Sequence, residues 1–297
     1  MSKRSSASRF VAVAVVLLLA ALATTLVSAQ SPLRRQYHEA ETLTYRMNGQ
    51  NEAWKYSLQA DAVVKKEASG TFFEEIRWSP MTSDGKVIPV SDAAAAYRQR
   101  LSLDLNSMPS APDLRNVDPK MVGPVTDLMT FYADLWLILR MGALHKPGDH
   151  FYFAMPMTPS WADGSRVLVG EDSIAFDMTF QSIDPASQTA LLLIRHVPPA
   201  KPTVHLSADW MQAPVAGTPN NWVQVQKEQD GTFTAAVGKE TFDVELKVSL
   251  VDGRILHGTM ENPVTTIERN CQDAALTKCS DPKPHQILRK IDITLVQ

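Results

Sequence analysis

Apolar residues at every second position are the feature of this chain that most restricts its fold. The clearest run alternates without exception with charged or polar residues, and its apolar members are Phe242, Val244, Leu246, Val248 and Leu250. A longer run follows the same rule with Trp54, Tyr56, Leu58, Ala60, Ala62 and Val64. Because successive side chains of a β-strand point to opposite faces, this period predicts strands that bury one face. The chain is therefore expected to fold around a sheet.

Other strands follow from the same period. Further alternating runs lie at 41–47, 72–78, 151–157, 174–180 and 287–295. The first two flank the run from Trp54 and complete an antiparallel meander. Residues 190–197 are apolar on both faces, which predicts a central strand or the wall of a cavity. Asp252 and Gly253 predict a type I′ hairpin turn before a return strand that begins at Arg254.

Glu74 breaks the apolar face of the run at 72–78, where Phe72, Ile76 and Trp78 share its side. Glu74, or the adjacent Glu75, can act as a buried general acid if its pKa is raised. The simpler interpretation is a carboxylate that points outward at a strand bulge.

Two segments favour helices instead of strands. Ser91 and Asp92 can cap an alanine-rich run through Leu101, and Gly123-Pro124 opens a longer helix that ends at Gly142. The five prolines of residues 198–221 predict a lid or a surface strap that buries Trp210 and Met211. We therefore predict an α+β fold, in which a strongly curved, mainly antiparallel meander sheet forms a half-barrel against one long helix and a proline-rich loop.

The N-terminal residues predict export. Lys3, Arg4 and Arg9 precede an apolar run that ends in small residues, which is typical of a signal peptide cleaved after Ala29. An uncleaved membrane anchor is the alternative, favoured by Arg34 and Arg35. We predict a signal peptide at 1–29, a single β-rich domain at 30–297 with a helical insertion at about 91–142, and no stable membrane span after cleavage. The chain has no Asn-x-Ser/Thr sequon, which favours a bacterial periplasmic or secreted protein.

Composition and charge exclude some partners. The chain is 44% hydrophobic, which is enough for a sizeable core. Loss of the three basic residues of the signal moves the net charge from −3 to −6. No basic stripe stands out in the sequence, so we expect no nucleic-acid partner.

The two cysteines, Cys271 and Cys279, predict a disulfide that closes a short loop in an oxidising compartment. A metal site with His285 is the alternative, but its spacing matches no familiar zinc pattern. No nucleophile elbow, phosphate-binding loop or nucleotide motif is present. His145, Asp149 and His150 fit a turn better than a site. We predict no catalytic residue, metal or cofactor.

The order of these features resembles the periplasmic open-barrel proteins related to lipoprotein carriers, and uncharacterised periplasmic families of similar shape. The resemblance rests on the export signal, the opening strand Glu41-Thr-Leu-Thr-Tyr-Arg, long strands with tryptophan, a helical insertion and a C-terminal hairpin. It implies binding of acyl chains or hydrophobic segments between sheet and helices. The ligand-binding residues predicted on inward faces are Trp54, Tyr56, Phe72, Trp78, Trp136, Phe176 and Phe242. An ordinary core is the alternative role for these aromatic residues.

Three functions remain open at this point. The first is an exported, non-catalytic protein that binds a lipid-like ligand or hydrophobic segment within the curved sheet. The second is an interaction or scaffold protein of the cell envelope, in which edge strands or the proline-rich strap bind another protein. The third is a hydrolase without a recognisable motif. A tightly packed inner face would count against the first.

Overall fold

The computed structural model describes residues 33–89, 92–96, 98–102, 144–156, 160–161, 166–169, 173–198, 200–201 and 208–296. The predicted signal peptide, the predicted helix from Gly123 to Gly142 and Trp136 lie outside these residues.

The alternating runs form a single antiparallel sheet of sixteen strands within the described residues. The strands of the first half of the chain are β1 (Thr42–Asn51), β2 (Trp54–Lys66), β3 (Phe72–Trp78), β4 (Thr82–Ser83), β5 (Lys86–Val87), β6 (Gln99–Ser102) and β7 (His150–Pro156). Those of the second half are β8 (Ser160–Trp161), β9 (Arg166–Val169), β10 (Ser173–Asp184), β11 (Thr189–His196), β12 (Trp222–Lys227), β13 (Phe233–Glu240), β14 (Asp243–Ser249), β15 (Ile255–Cys271) and β16 (Lys283–Leu295).

Four long strands, in the order β2-β1-β16-β15, form the middle of the sheet. The sheet forks at β15, because residues 255–261 pair with β14 and residues 264–271 pair with β13. One branch continues as β14-β11-β10-β7 and the other as β13-β12-β9-β8. At the other side, β2 pairs with β3 and β4, and β3 pairs with β6. Among the described residues the two ends, β6 and β7, do not pair with each other, so the sheet stays open.

Several strand predictions are confirmed. β1, β2 and β3 form the expected meander, with continuous register between β2 and β3. β11, the run that is apolar on both faces, lies between β10 and β14. Ile291 and Ile293 of β16 are buried together, and Leu295 packs against the same core. Period-two alternation thus identified these strands and their buried faces.

The predicted α+β class is wrong. The described residues are nearly all antiparallel sheet, and the longest helix among them, α1 (Asp92–Ala96), has five residues. The expected helix from Ser91 to Leu101 ends early, because residues 99–102 become β6 and pair with β3. The Arg98 guanidinium donates to the carbonyls of Ala95 and Ala96 and so caps the short helix at its C-terminal end. Pairing with the edge of β3 therefore outweighs the helix propensity of the alanines.

Two hydrophobic cores lie on opposite faces of the sheet. The main core takes inward residues from β1, β2, β3, β15 and β16 and from the first branch, among them Met47, Phe180, Leu192 and Ile293. The second core contains Met211, Val223, Val225, Ala235, Val237 and Leu276. On β15, Met260 belongs to the main core, whereas Ile267, an odd number of positions later, pairs with Val237 of the second core. Since side chains alternate along a strand, the two cores occupy opposite sides of one sheet.

A buried polar network fills the fork between β13 and β14. Asn262 donates to the Thr241 carbonyl and to the Glu240 carboxylate, and its own carbonyl accepts from Arg289. Asn221 donates to the Glu240 carbonyl and accepts from the Glu240 amide. These side chains replace the ladder hydrogen bonds that are lost where the two branches separate.

The hairpin between β14 and β15 turns at the predicted residues, but not as a type I′ turn. That turn requires positive φ at both central residues, whereas here Gly253 (φ 72°) has it and Asp252 does not. The segment after the predicted signal packs on this hairpin, where the Gln36 amide donates to the Asp252 carbonyl. A Cβ on Gly253 would lie 2.6 Å from the backbone nitrogen of Arg35, so the close approach of the two segments requires glycine.

Candidate functional site

The predicted ligand-binding aromatics that the structure describes lie on one face of the sheet, and most of them are core residues. Tyr56, Trp78, Phe176 and Phe242 are buried in the main core, and Phe72 packs against it. Trp54 is 38% exposed at the start of β2, with its ring 4.7 Å from that of Tyr56. Their shared face agrees with the sequence, and their burial favours the core role over a cavity wall.

A groove of about 710 Å³ lies over the end of β1, the start of β2 and the adjoining residues of β15 and β16, beside the turn at Asp84 and Gly85. Of the predicted aromatics, Tyr56 lines this groove. Three of its charged residues already have partners: the Lys290 ammonium contacts the Glu261 carboxylate at 2.5 Å, and Asp292 contacts His257 at 2.8 Å. Lys290 and Glu261 therefore neutralise each other within the groove.

Glu74 differs from the simpler prediction, because it is buried and not at a bulge. It is 2% exposed, and the register between β2 and β3 is continuous through it. Burial raises the pKa of Glu74 to about 7; the Arg35 charge opposes this and the Glu41 charge adds to it. Its Oε2 atom has no hydrogen-bond partner among the described residues. The adjacent Glu75 points outward and pairs with Lys65 at 2.7 Å.

An ion-pair network lies close enough to influence Glu74. The Arg35 guanidinium contacts the Glu41 carboxylate at 2.6 Å, with both side chains at or below a tenth exposed. Arg254 lies 3.7 Å from Glu41 and 2.5 Å from Asp252. These contacts attach the segment from Leu33 to Glu41 to the β14–β15 hairpin. The arrangement is structural in character, because it holds two segments of the chain together and none of these residues is a nucleophile.

The remaining sequence candidates are structural. Asp149 accepts from the amides of His145 and Lys146, and these bonds lower the pKa of its carboxyl, so the segment is the predicted turn. Cys271 and Cys279 form the predicted disulfide. The described part of the chain brings together no group of three or more His, Cys, Asp or Glu side chains that could hold a metal ion.

The strap is confirmed in part, through its contact with the disulfide loop. Residues Asp209–Met211 form a short 3-10 helix, and Met211 is buried in the second core. The Trp210 indole N–H donates to the Leu276 carbonyl at 2.9 Å, within the loop that the disulfide closes. The Arg269 guanidinium lies 5.0 Å from the centre of the Trp210 ring.

The open edge of β7 is the feature that stands out as a binding surface. Four strands, β5, β6, β7 and β8, pair on one side only within the described residues. β5 and β8 have two residues each and β6 has four, whereas β7 has seven. Proteins usually protect an edge with short strands, lysine, proline or a bulge. Up to its last residue, Pro156, β7 has none of these devices.

The direction of the backbone groups on β7 follows from its neighbour β10. Phe180 exchanges hydrogen bonds with the turn before β7, and the Ala175 carbonyl accepts from Val197 on the other side. Since hydrogen-bonding direction alternates along an antiparallel strand, the even-numbered residues of this part of β10 face β7. The β10 residues opposite Phe151 and Phe153 are Met178 and Phe176, which are even-numbered. The backbone groups of the two phenylalanines therefore form hydrogen bonds with β10. Tyr152 and Ala154 therefore direct their N–H and C=O groups to the open edge.

Side chains on the two faces of β7 differ in character. Phe151 and Phe153 are half-buried against the main core, with their rings 6.5 Å apart. Tyr152, on the other face, is 60% exposed. Its cross-strand neighbour is Asp177, whose nearest ionic partner is His150 at 3.9 Å. The edge thus offers backbone hydrogen bonds, an apolar side and an exposed aromatic ring beside a carboxylate.

Sequence reasoning did not single out Tyr152 as a functional residue. The run at 151–157 was predicted as a strand, but whether a strand lies at an edge depends on pairings that alternation does not encode. The signal that could have identified it was an aromatic residue on the face of the run opposite to Phe151 and Phe153.

Comparisons with known proteins add little. No protein-family model and no curated protein matches the chain. The chain has a weak likeness to the crystal structure of MucB in complex with MucA(peri), with 10% identity over 86% of this chain and 89% of that chain and a TM-score of 0.19. The Pseudomonas aeruginosa MucA/MucB complex gives the same identity and coverage with a TM-score of 0.18. At these TM-scores the likeness carries no argument, and the open-barrel resemblance stays a prediction.

None of the helices in the described residues has the length and apolar character needed to cross a membrane.

Proposed function

We propose that this protein is an exported, non-catalytic protein of the cell envelope that binds an extended polypeptide segment of a partner along the edge of β7. The single observation that carries the proposal is that edge, seven residues long and paired on one side only within the described residues. A segment that pairs with it would add a strand to the sheet. The export part of the proposal rests on the N-terminal sequence.

Burial of the aromatics leads us to prefer this function to carriage of an apolar ligand. Tyr56, Trp78, Phe176 and Phe242 are each less than a tenth exposed, as core residues are. The edge of β7, by contrast, has exposed side chains at Tyr152 and Ala154, and its outward backbone groups pair with no strand in the described part of the chain. Free hydrogen-bonding groups beside a half-buried apolar pair are what strand addition requires.

The test uses proline at Ala154. Ala154→Pro removes the N–H that points to the open edge, and its ring occupies the space of an incoming strand, while the bonds between β7 and β10 remain. Ala154→Ser is the matched control, because it keeps the N–H. The probe is a random peptide library displayed on phage and selected on the full chain, and selected peptides are then measured against the parent and both variants.

We expect selected peptides to bind the Ala154→Pro variant at least about tenfold more weakly, the loss of roughly one hydrogen bond or more, and the Ala154→Ser variant like the parent. Equal affinity for all three proteins would contradict the proposal, provided that the thermal midpoint of the proline variant shows it is folded. A dimer of the parent that becomes monomeric in the proline variant would also contradict it, because a second copy would then occupy the edge.

A further inference from the structure

The chemistry of the partner segment follows from the side chains on either face of β7, if the proposed function of this edge holds. We infer that the segment alternates, with apolar residues beside Phe151 and Phe153 and a lysine or arginine opposite Tyr152. The site is an antiparallel strand position, and the ligand class is an apolar–basic–apolar stretch of extended polypeptide.

The apolar positions are set by the inner face of β7. Phe151 and Phe153 pack against the main core but remain partly exposed. In a sheet, residues directly opposite on neighbouring strands place their Cβ atoms about 5 Å apart on the same face. Residues of the added strand opposite these two would therefore cover the exposed parts of the phenylalanine rings, which favours apolar side chains there.

The basic position is set by the outer face. A residue opposite Tyr152 on the added strand would lie next to the exposed Tyr152 ring. Asp177 lies one strand further, about 10 Å from that residue, because this distance spans two strand spacings. A lysine or arginine side chain is long enough to lie along the ring and bring its charge towards the carboxylate. An aspartate or glutamate at the same position would face Asp177 with like charge.

The carboxylate of Asp177 is available for such a contact. Arg195 lies opposite Asp177 on β11, but its ion pair is with Asp243, at 3.8 Å. Among the described residues, the nearest ionic partner of Asp177 is His150, and the distance between its Nδ1 atom and the carboxylate is 3.9 Å. Asp177 is about half exposed, so a basic residue above Tyr152 can reach it without displacing a close ion pair.

The experiment compares three synthetic peptides on the full chain by isothermal titration. The first has valine at alternate positions around a central lysine, the second has glutamate in place of that lysine, and the third has the composition of the first with the alternation broken. Each peptide is measured against the parent, Asp177→Asn and Ala154→Pro. Asp177 is exposed on the surface, so its substitution is expected to leave folding intact.

We expect the lysine peptide to bind about tenfold more tightly than the glutamate peptide, and Asp177→Asn to reduce that ratio. The broken peptide should bind more weakly than both. Equal or tighter binding of the glutamate peptide, still weakened by Ala154→Pro, would overturn the inferred chemistry while strand addition stands. Binding that Ala154→Pro does not weaken would instead overturn the proposed function on which the inference rests.

Discussion

Replacing Glu74 with glutamine is expected to remove a pH dependence of stability that the parent protein shows. The ordinary pKa of a glutamate is near 4.5, and burial raises that of Glu74 to about 7 in the folded state. The folded protein therefore holds a proton that the unfolded chain releases between these values. Its contribution to stability is fully present below pH 4.5, falls as the pH rises, and is lost above about pH 7.

The size of the effect follows from the two pKa values. Each pKa unit corresponds to about 1.4 kcal/mol, so the change across this window amounts to about 3 kcal/mol of unfolding free energy. Glutamine does not titrate, so the stability of the Glu74→Gln variant lacks this change. The difference between variant and parent should shift by that amount in favour of the variant as the pH rises. A constant cost of burying the amide does not alter the shift.

The assay is urea unfolding followed by tryptophan fluorescence, from below pH 4.5 to above pH 7. Glu75→Gln is the matched control, since Glu75 is the next residue and forms a partly exposed ion pair with Lys65. Its difference from the parent should stay within about 1 kcal/mol across the range. A flat difference for Glu74→Gln would refute the reasoning, because it would mean that the carboxyl is solvated or paired in the folded protein.

Two further predictions concern packing. Gly253→Ala should lower the unfolding free energy, measured by urea unfolding, by about 2 kcal/mol more than Gly85→Ala. Both glycines have positive φ, but the added Cβ contacts Arg34 and Arg35 at Gly253, whereas it contacts nothing within 4 Å at Gly85. Equal losses of unfolding free energy in the two variants would refute the clash. Reduction of Cys271–Cys279, or replacement of both by alanine, should cost about 2–3 kcal/mol for a loop this short, measured by urea unfolding with and without reductant. An unchanged midpoint would show that the loop stays closed without the disulfide.

The longest strands were predictable from the sequence because each of them carries its own local evidence. The alternation in 242–250 and 54–64 indicates that one face of each strand is buried, and this local pattern does not depend on which strands pair with each other. The Cys271–Cys279 pair was likewise recognisable from spacing and compartment.

Features that depend on distant pairings were missed. Residues 99–101 were predicted as the end of a helix, because their pairing with β3 cannot be inferred from local propensity. The sequence favoured a bulge at Glu74. Arg35 lies near Glu74 because of how the segment from Leu33 to Glu41 packs, and nothing in the sequence of that segment indicates this contact. The fork at β15, which places two cores on opposite faces, and the edge position of Tyr152 both arise from strand order.

Hydrogen exchange of the individual amides of β7 tests the open edge most directly. In the protein without peptide, the amides of Tyr152 and Ala154 should exchange rapidly, because they point away from β10, whereas those of Phe151 and Phe153 should be protected. Addition of a peptide selected on the full chain should then protect Tyr152 and Ala154. Equal protection of all four amides before any peptide is added would show that the edge is already covered, and would contradict the proposed function.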